Sequence, residues 1–112
     1  MYEERFSVWQ HWKSRGQLQG LGYPGVYTVA VSQQALAGNV FSWRGDVVYI
    51  GMTNSAAGLK GRLQQFDNTI AGKTGHGGAD RVRYKHRDYE RLCEQLHVAV
   101  AVFGLDPLSW TG

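Results

Sequence analysis

Residues 25–32 read GVYTVAVS and residues 46–51 read DVVYIG, and these two stretches decide the fold. Both are rich in β-branched and aromatic residues, and the first alternates in the way that is typical of a β-strand. The interval between them, residues 33–45, contains polar residues and glycine and is predicted to be a loop. We therefore expect two strands that pair in antiparallel fashion.

Helical and strand patterns follow this pair along the chain. Residues 59–71 carry apolar side chains at spacings of four, three and four residues, which is one face of an α-helix. These side chains are Leu59, Leu63, Phe66 and Ile70. Four glycines within residues 72–78 predict a break, after which residues 79–95 are predicted to form a second helix and residues 96–103 a third strand.

The N-terminal residues complete the predicted architecture. Phe6, Trp9 and Trp12 recur at helical spacing, so residues 3–14 are expected to form a helix, and residues 1–22 an N-terminal helix with its glycine-rich connector. The element order is helix-β-β-helix-helix-β. The predicted fold class is therefore α+β, a single domain of 112 residues with a small antiparallel three-stranded sheet flanked by helices.

Composition excludes several classes of protein. Apolar residues at 43% and charged residues at 19% are typical of a globular domain and not of a disordered chain. No stretch approaches the roughly 20 apolar residues that span a bilayer, and the N-terminus lacks the pattern of a signal peptide. The single cysteine, Cys93, excludes an internal disulfide, and its place on a predicted apolar helix face favours a buried structural thiol. We expect a cytoplasmic protein that does not contact membranes.

The positive charge is concentrated in one part of the chain. The net charge is only +3, but eight of the twelve basic residues lie within residues 60–91, together with four acidic residues. Such a local excess suits a polyanion such as a nucleic-acid backbone. A solvated helical face with a chance bias explains it equally well.

Two strand tyrosines and one helix arginine form the most notable set. If the strands pair in register, Tyr27 and Tyr49 converge on one face, and Arg62 emerges at the edge of the core, facing the sheet. A guanidinium there suits a phosphate oxygen, and a phenol whose pKa the cation lowers could accept a proton from water. Composition and spacing alone favour the alternative, in which both tyrosines pack in a core and Arg62 is a surface residue.

Three short motifs resemble the successive GIY, YIG and LxxR elements of GIY-YIG nucleases: GVY at residues 25–27, YIG at 49–51 and LKGR at 59–62. The similarity runs from residue 24 to about residue 103. The order strand-strand-helix-helix-strand matches the fold of that family. The resemblance implies a metal-dependent endonuclease that hydrolyses phosphodiester bonds in DNA.

The resemblance also implies roles for single residues. Tyr27 and Tyr49 would line the cleft, one of the two orienting or deprotonating the attacking water, and Arg62 would stabilise the negative charge of the transition state. His76 lies fourteen residues beyond Arg62, close to a functional histidine of some homing-type members. A turn histidine that caps a glycine-rich loop fits position 76 as well.

DNA is the expected partner. Gly51 would let the backbone approach DNA closely, Thr53 follows the second motif as in many members, and a basic run would hold flanking phosphates. The implied nucleic-acid-binding residues are Gly51, Thr53, Lys60, Arg81, Arg83, Lys85 and Arg87.

The chain departs from the family pattern at two places. About twenty residues separate the first two motifs, but closing a longer loop costs little. The family's metal ligand is a glutamate on a helix after the third strand, and no glutamate follows Glu94. The expected divalent ion, Mg²⁺ or Mn²⁺, therefore has no identified ligand. A spacing of four residues on one predicted helix face could hold a metal between His86, Glu90 and Glu94. Exposed ion pairs within the helix explain this spacing better.

Three functions remain open at this point. The chain is expected to be an endonuclease that is catalytically incomplete, its glutamate lying in a C-terminal segment beyond residue 112 or in a second chain. It is alternatively the same fold kept for nucleic-acid binding without hydrolysis. It is otherwise a structural domain of a larger assembly, in which the four tryptophans supply an interaction surface. A truncated domain would also leave apolar surface uncovered, which predicts a homodimer.

Overall fold

A computed structural model describes residues 5–73, 77–85 and 88–103 of the chain. The α+β class is confirmed. The strands are β1 (Gln10–His11), β2 (Gly25–Val31), β3 (Val47–Thr53) and β4 (Leu96–Val102), and the α-helices are α1 (Gly58–Ile70), α2 (Gly77–Lys85) and α3 (Tyr89–Gln95). A 3-10 helix at Trp12–Gln17 follows β1. None of the described helices is both long and apolar enough to cross a membrane.

The sheet is antiparallel, with the strand order β1-β4-β2-β3. Tyr27 on the central strand β2 pairs with Gly51 on β3 and with Val100 on β4. The antiparallel sheet is thus confirmed, but the prediction of three strands is wrong, because β1 adds a fourth. That strand is only two residues long, too short to leave a periodic pattern in the sequence.

The predicted helix over residues 3–14 is wrong for the part that the structure describes. The Ser7 amide donates to the Val100 carbonyl at 2.8 Å, so the segment before β1 runs alongside β4. The aromatic residues that suggested one helical stripe belong to two different cores, Trp9 to one and Trp12 to the other. The chain passes the edge of the sheet between them, and a 3-10 helix begins at Trp12.

Both faces of the sheet are covered. We call one the helical face, because α1, α2 and α3 pack on it, and the other the aromatic face, because residues 5–9 and the loop at 33–43 cover it with aromatic rings. The strand residues on the helical face include Tyr27, Val29, Val98 and Val100. Those on the aromatic face include Val26, Ala30, Ala99 and Ala101. The long loop between the first two motifs therefore contributes to the core.

The cover of the aromatic face reaches Val47 but does not extend along the rest of the edge strand β3. The side chains of Ile50 and Met52, which lie opposite Thr28 and Val26 of β2, are 51% and 57% exposed. Apolar surface is therefore left uncovered on β3, and a homodimer through it stays a prediction.

The helical region between residues 79 and 95 is divided, and the single predicted helix is wrong. Asp88 has extended backbone and caps α3, its carboxylate accepting a hydrogen bond from the Arg91 amide at 3.2 Å. The helix predicted at residues 59–71 is confirmed as α1. Its first amides at Leu59 and Lys60 donate to the carbonyls of Tyr23 and Leu21 at 2.9 and 2.7 Å, so the glycine-rich connector caps this helix.

Asp67 on α1 joins three elements. Its Oδ1 accepts hydrogen bonds from the Trp12 indole at 2.8 Å and from the Tyr89 phenol at 3.1 Å. Its Oδ2 lies 3.5 Å from the Arg15 guanidinium. Cys93 is buried beside Tyr89, as predicted, and burial raises the pKa of its thiol. This network fixes the 3-10 helix and α3 on α1.

Candidate functional site

Tyr27 and Tyr49 lie side by side on the helical face. Because Tyr27 pairs with Gly51, Tyr49 is its diagonal neighbour on β3. The two ring centroids are 5.9 Å apart, and the Phe66 ring of α1 lies 6.5 Å from the first and 5.8 Å from the second. The strand register therefore brings the two tyrosines together, as the sequence indicated.

Two glycines make room for these rings. A Cβ atom at Gly51 would lie 2.6 Å from the Tyr27 hydroxyl and 2.6 Å from Cε2 of Tyr49. A Cβ at Gly78, in the first turn of α2, would overlap the Tyr49 ring. In the structure Gly51 thus lets the Tyr27 ring lie across β3, while a close approach of its backbone to DNA stays a prediction. The packing role of Gly78 had no signal in the sequence.

Arg62 lies on α1 at the edge of the core. The side chain is half-buried, and its guanidinium lies close enough to the Tyr27 phenol, which also has Tyr49 beside it, to lower the pKa of that phenol. Its Nη1 donates a hydrogen bond to Oε1 of Gln65 at 2.6 Å. Gln65 was not singled out from the sequence, although residues three apart on a helix are neighbours. We call Tyr27, Tyr49 and Arg62 the tyrosine–arginine cluster.

The electrostatics of Tyr27 differ from the prediction. Burial raises the pKa of its phenol above the ordinary value of 10.0, Tyr49 raises it further, and Arg62 lowers it by less. The predicted net lowering of the phenol pKa is therefore wrong for Tyr27: Arg62 acts in the expected direction, but the side chain is 0% exposed and desolvation dominates. At neutral pH Tyr27 is a neutral hydroxyl. Tyr49 and Arg62 are partly exposed and are the cluster members that a ligand can reach.

Thr53 and the α2 cations lie around this cluster without joining it. Thr53 is buried, and its hydroxyl accepts a hydrogen bond from the Ser55 amide at 3.1 Å, which shapes the turn into α1. Arg81 and Lys85 border a groove of about 360 Å³ beside β3. Arg83 points instead toward Gly72 at the end of α1. The three exposed cations of α2 therefore lie on two sides of that helix.

Two predicted residues, His76 and Arg87, lie outside the described residues. Lys60 is exposed on α1 but faces away from the cluster, toward a groove that it shares with Lys13 and Arg15. No sequence pattern groups Lys13 and Arg15 with Lys60, because 45 residues or more separate them from it along the chain.

A metal site is not formed by the part of the chain that the structure describes, since no three His, Cys, Asp or Glu side chains meet there. Of the three residues with metal-binding spacing, Glu90 and Glu94 both lie on α3. His86 itself lies outside the described residues. Phenols and a guanidinium do not supply the carboxylate oxygens that Mg²⁺ or Mn²⁺ takes, so we assign no step to a metal.

The chain was also compared with known proteins. Neither a scan against protein-family models, nor a search of curated proteins, nor a search of solved structures found a match. Its function is therefore inferred from its residues and their geometry.

Proposed function

We propose that the tyrosine–arginine cluster binds a nucleic-acid phosphodiester and that the chain is the phosphate-binding part of a GIY-YIG-type DNA endonuclease. One observation carries this proposal. Residues from three separate motifs, GVY on β2, YIG on β3 and LKGR on α1, meet in a single cluster of two phenols and a guanidinium. Ordinary core packing needs neither a guanidinium at this position nor two phenols beside it.

The three residues of the cluster have different roles, which follow from how exposed each side chain is. The Arg62 guanidinium lies beside the buried Tyr27 phenol and donates to Gln65 at 2.6 Å, which orients its planar set of donors. A phosphate oxygen beside it would meet a charge that is always present and already oriented, which favours the negative charge of a phosphoryl transition state. Tyr49 is the phenol that a phosphate or a water molecule can reach. Tyr27 is a positioning residue, since it is sealed from solvent.

The second candidate function is binding without cleavage. The buried phenol of Tyr27 stays protonated at neutral pH, so Tyr27 does not take a proton from water. This observation favours a domain that recognises phosphates and leaves hydrolysis to groups from elsewhere. Both functions use Arg62 in the same way, and they differ only in whether DNA is cut.

Nicking of supercoiled plasmid DNA in Mg²⁺ or Mn²⁺ tests the enzyme function, and the assay uses a longer protein that continues past residue 112, where the glutamate is expected. We expect Arg62→Ala to lower the nicking rate by roughly 10²–10³-fold, as expected for the loss of one group that stabilises a transition-state anion. Arg91→Ala is the matched control, because Arg91 is an exposed arginine on α3. Equal nicking by the wild type and Arg62→Ala would refute the role of Arg62.

Binding is measured in the same proteins by fluorescence anisotropy with a labelled duplex, without metal. Binding without nicking, weakened by Arg62→Ala but not by Arg91→Ala, would select the non-catalytic function. A wild-type protein that neither nicks plasmid nor binds the duplex at low salt would overturn both functions. Circular dichroism checks that every variant is folded.

A further inference from the structure

A groove on the opposite side of α1 from Arg62 carries a second concentration of positive charge. It lies between the 3-10 helix, the connector that follows it and the N-terminal half of α1, and its volume is about 520 Å³. The hydrogen bond from the Lys60 amide to the Leu21 carbonyl, at 2.7 Å, ties two of its walls together. Its polar and charged lining residues are Lys13, Arg15, Lys60 and Gln64. We call it the basic groove.

The basic side chains of the groove differ in whether other residues of the chain hold them in place. Arg15 is held in place, because its Nη1 donates to the Trp12 carbonyl at 3.1 Å and its Nη2 lies 3.5 Å from Asp67. Lys13 and Lys60 are exposed, and within residues 5–73, 77–85 and 88–103 neither forms an ion pair with a carboxylate. No carboxylate lines the basic groove among those residues. Two ammonium groups are thus available to an anion.

A neighbouring groove has the opposite character and limits where a polyanion can lie. It shares Lys13 and Arg15 with the basic groove, but its other lining residues include Asp67, Glu90 and Glu94. Phosphates would be repelled on that side. A polyanion that contacts Lys13 is therefore directed toward Lys60 and along α1.

The position of the basic groove relates it to the tyrosine–arginine cluster. Lys60 and Arg62 are two residues apart on α1, which turns their side chains by about 200° around the helix axis. The two sites therefore lie on opposite flanks of the same helical turn. A single nucleic-acid strand that crosses the exposed side of this turn, at Gln64 and Gln65, can reach both sites.

We infer that the basic groove is a second phosphate-binding subsite, in which Lys13 and Lys60 hold the backbone of the same DNA strand whose phosphate lies at Arg62. This inference rests on the proposed function for the choice of DNA as the polyanion. The α1 amides at Leu59 and Lys60 already bind carbonyl groups, so the ammonium groups supply the attraction here, and the helix N-terminus does not. Gln64 offers an additional amide donor at the same groove.

The salt dependence of binding tests this inference. Anisotropy of a labelled duplex is measured over a series of salt concentrations for the wild type and for the double variant Lys13→Gln/Lys60→Gln. Each lost phosphate contact lowers the slope of log Kd against log salt by about 0.9, so we expect the slope to fall by nearly two and binding to weaken roughly tenfold. The control is Lys73→Gln/Arg91→Gln, which removes the same charge from exposed positions outside the groove.

The outcomes separate this inference from the proposed function. If the groove variant matches its control while Arg62→Ala still weakens binding, the basic groove is not a subsite and the proposed function stands. If the Lys13→Gln/Lys60→Gln variant binds DNA more weakly and Arg62→Ala does not, the basic groove is confirmed as a DNA-binding site. The proposed phosphate-binding role of the tyrosine–arginine cluster is then refuted. If no protein binds the duplex, both are overturned.

Vesicles of phosphatidylserine and phosphatidylcholine provide the other common polyanionic surface. We expect no retention of the protein on them at the salt concentration at which DNA is bound. Retention that depends on Lys13 and Lys60, without any effect of these lysines on DNA binding, would overturn the assignment to DNA.

Discussion

Each face of the sheet buries one titratable ring, but the two rings have different partners. Tyr27 on the helical face lies beside the polar side chains of Arg62 and Tyr49, both of which reach the surface. His97 on the aromatic face is bonded to backbone groups, its Nδ1 lying 2.9 Å from the Gln95 carbonyl and its Nε2 3.5 Å from the Leu36 amide. One ring is linked to solvent through polar side chains, and the other is sealed.

This difference shows which face carries chemistry. A buried polar group costs free energy unless it is hydrogen-bonded, and backbone groups satisfy His97 at little further cost. Tyr27 instead brings a guanidinium to the edge of the core, which adds the desolvation of a charge. Such an arrangement is poorly explained by stability alone. We therefore expect substitutions on the aromatic face to change stability, and those at the helical-face cluster to change binding.

Phe41→Ala is expected to give the largest effect, a loss of about 3–5 kcal/mol in the free energy of unfolding. The Phe41 ring lies 4.2 Å from Phe6, 5.2 Å from Trp9 and 4.9 Å from Trp43, measured between ring centroids, so its removal opens a cavity in the aromatic cover. Urea unfolding followed by tryptophan fluorescence measures the loss.

Val40→Ala is the control for Phe41, because Val40 is 82% exposed and its loss should change stability by less than about 0.5 kcal/mol. Where the Phe41 variant is still folded, its affinity for DNA should match that of the wild type. A folded Phe41→Ala protein that binds DNA as weakly as Arg62→Ala would show that the two faces are not independent.

Gly51→Ala is expected to give the next largest effect, a loss of about 1–3 kcal/mol through overpacking. Its new Cβ would press on the rings of Tyr27 and Tyr49, so affinity for DNA should fall together with stability. Gly45→Ala is the matched control, since a Cβ at Gly45 meets nothing within 4 Å. A Gly51→Ala protein as stable as the control would mean that the Tyr27 ring does not lie across β3.

The parts of this fold that could be predicted have local signals. Apolar spacing gave α1, alternation gave β2, and the strand register then brought Tyr27 and Tyr49 together. Arg62 could be placed at the core edge because its helix face was readable from its neighbours.

The parts that were missed depend on contacts between distant segments. Trp9 and Trp12 have helical spacing, yet the sheet edge separates them, and no sequence period reports such a crossing. The direction of the pKa shift of Tyr27 follows from complete burial, which a motif does not reveal. The basic groove likewise exists only because the 3-10 helix packs on α1.

The smallest expected effect is a pH dependence of stability from His97. Burial lowers the pKa of its imidazole below the ordinary 6.5, so below that pH the folded state binds fewer protons than the unfolded state. The contribution of His97 is therefore complete above pH 6.5, and is lost as pH falls from 6.5 toward the lowered folded value. The carboxyl of Asp46, whose pKa the Arg44 hydrogen bond lowers, acts in a separate window below 3.8.

Unfolding free energies of the wild type and His97→Gln, measured between about pH 7.5 and 5, isolate this term. The wild type should lose stability toward acid more steeply than the variant, whatever their difference in free energy of unfolding at pH 7.5. Tyr27 has the opposite pH dependence, because its raised phenol pKa makes the free energy of unfolding fall as pH rises past 10.0. If the free energy of unfolding falls equally steeply toward acid in both proteins, His97 is open to water. The contrast between the sealed ring of His97 and the solvent-linked ring of Tyr27 would then be lost.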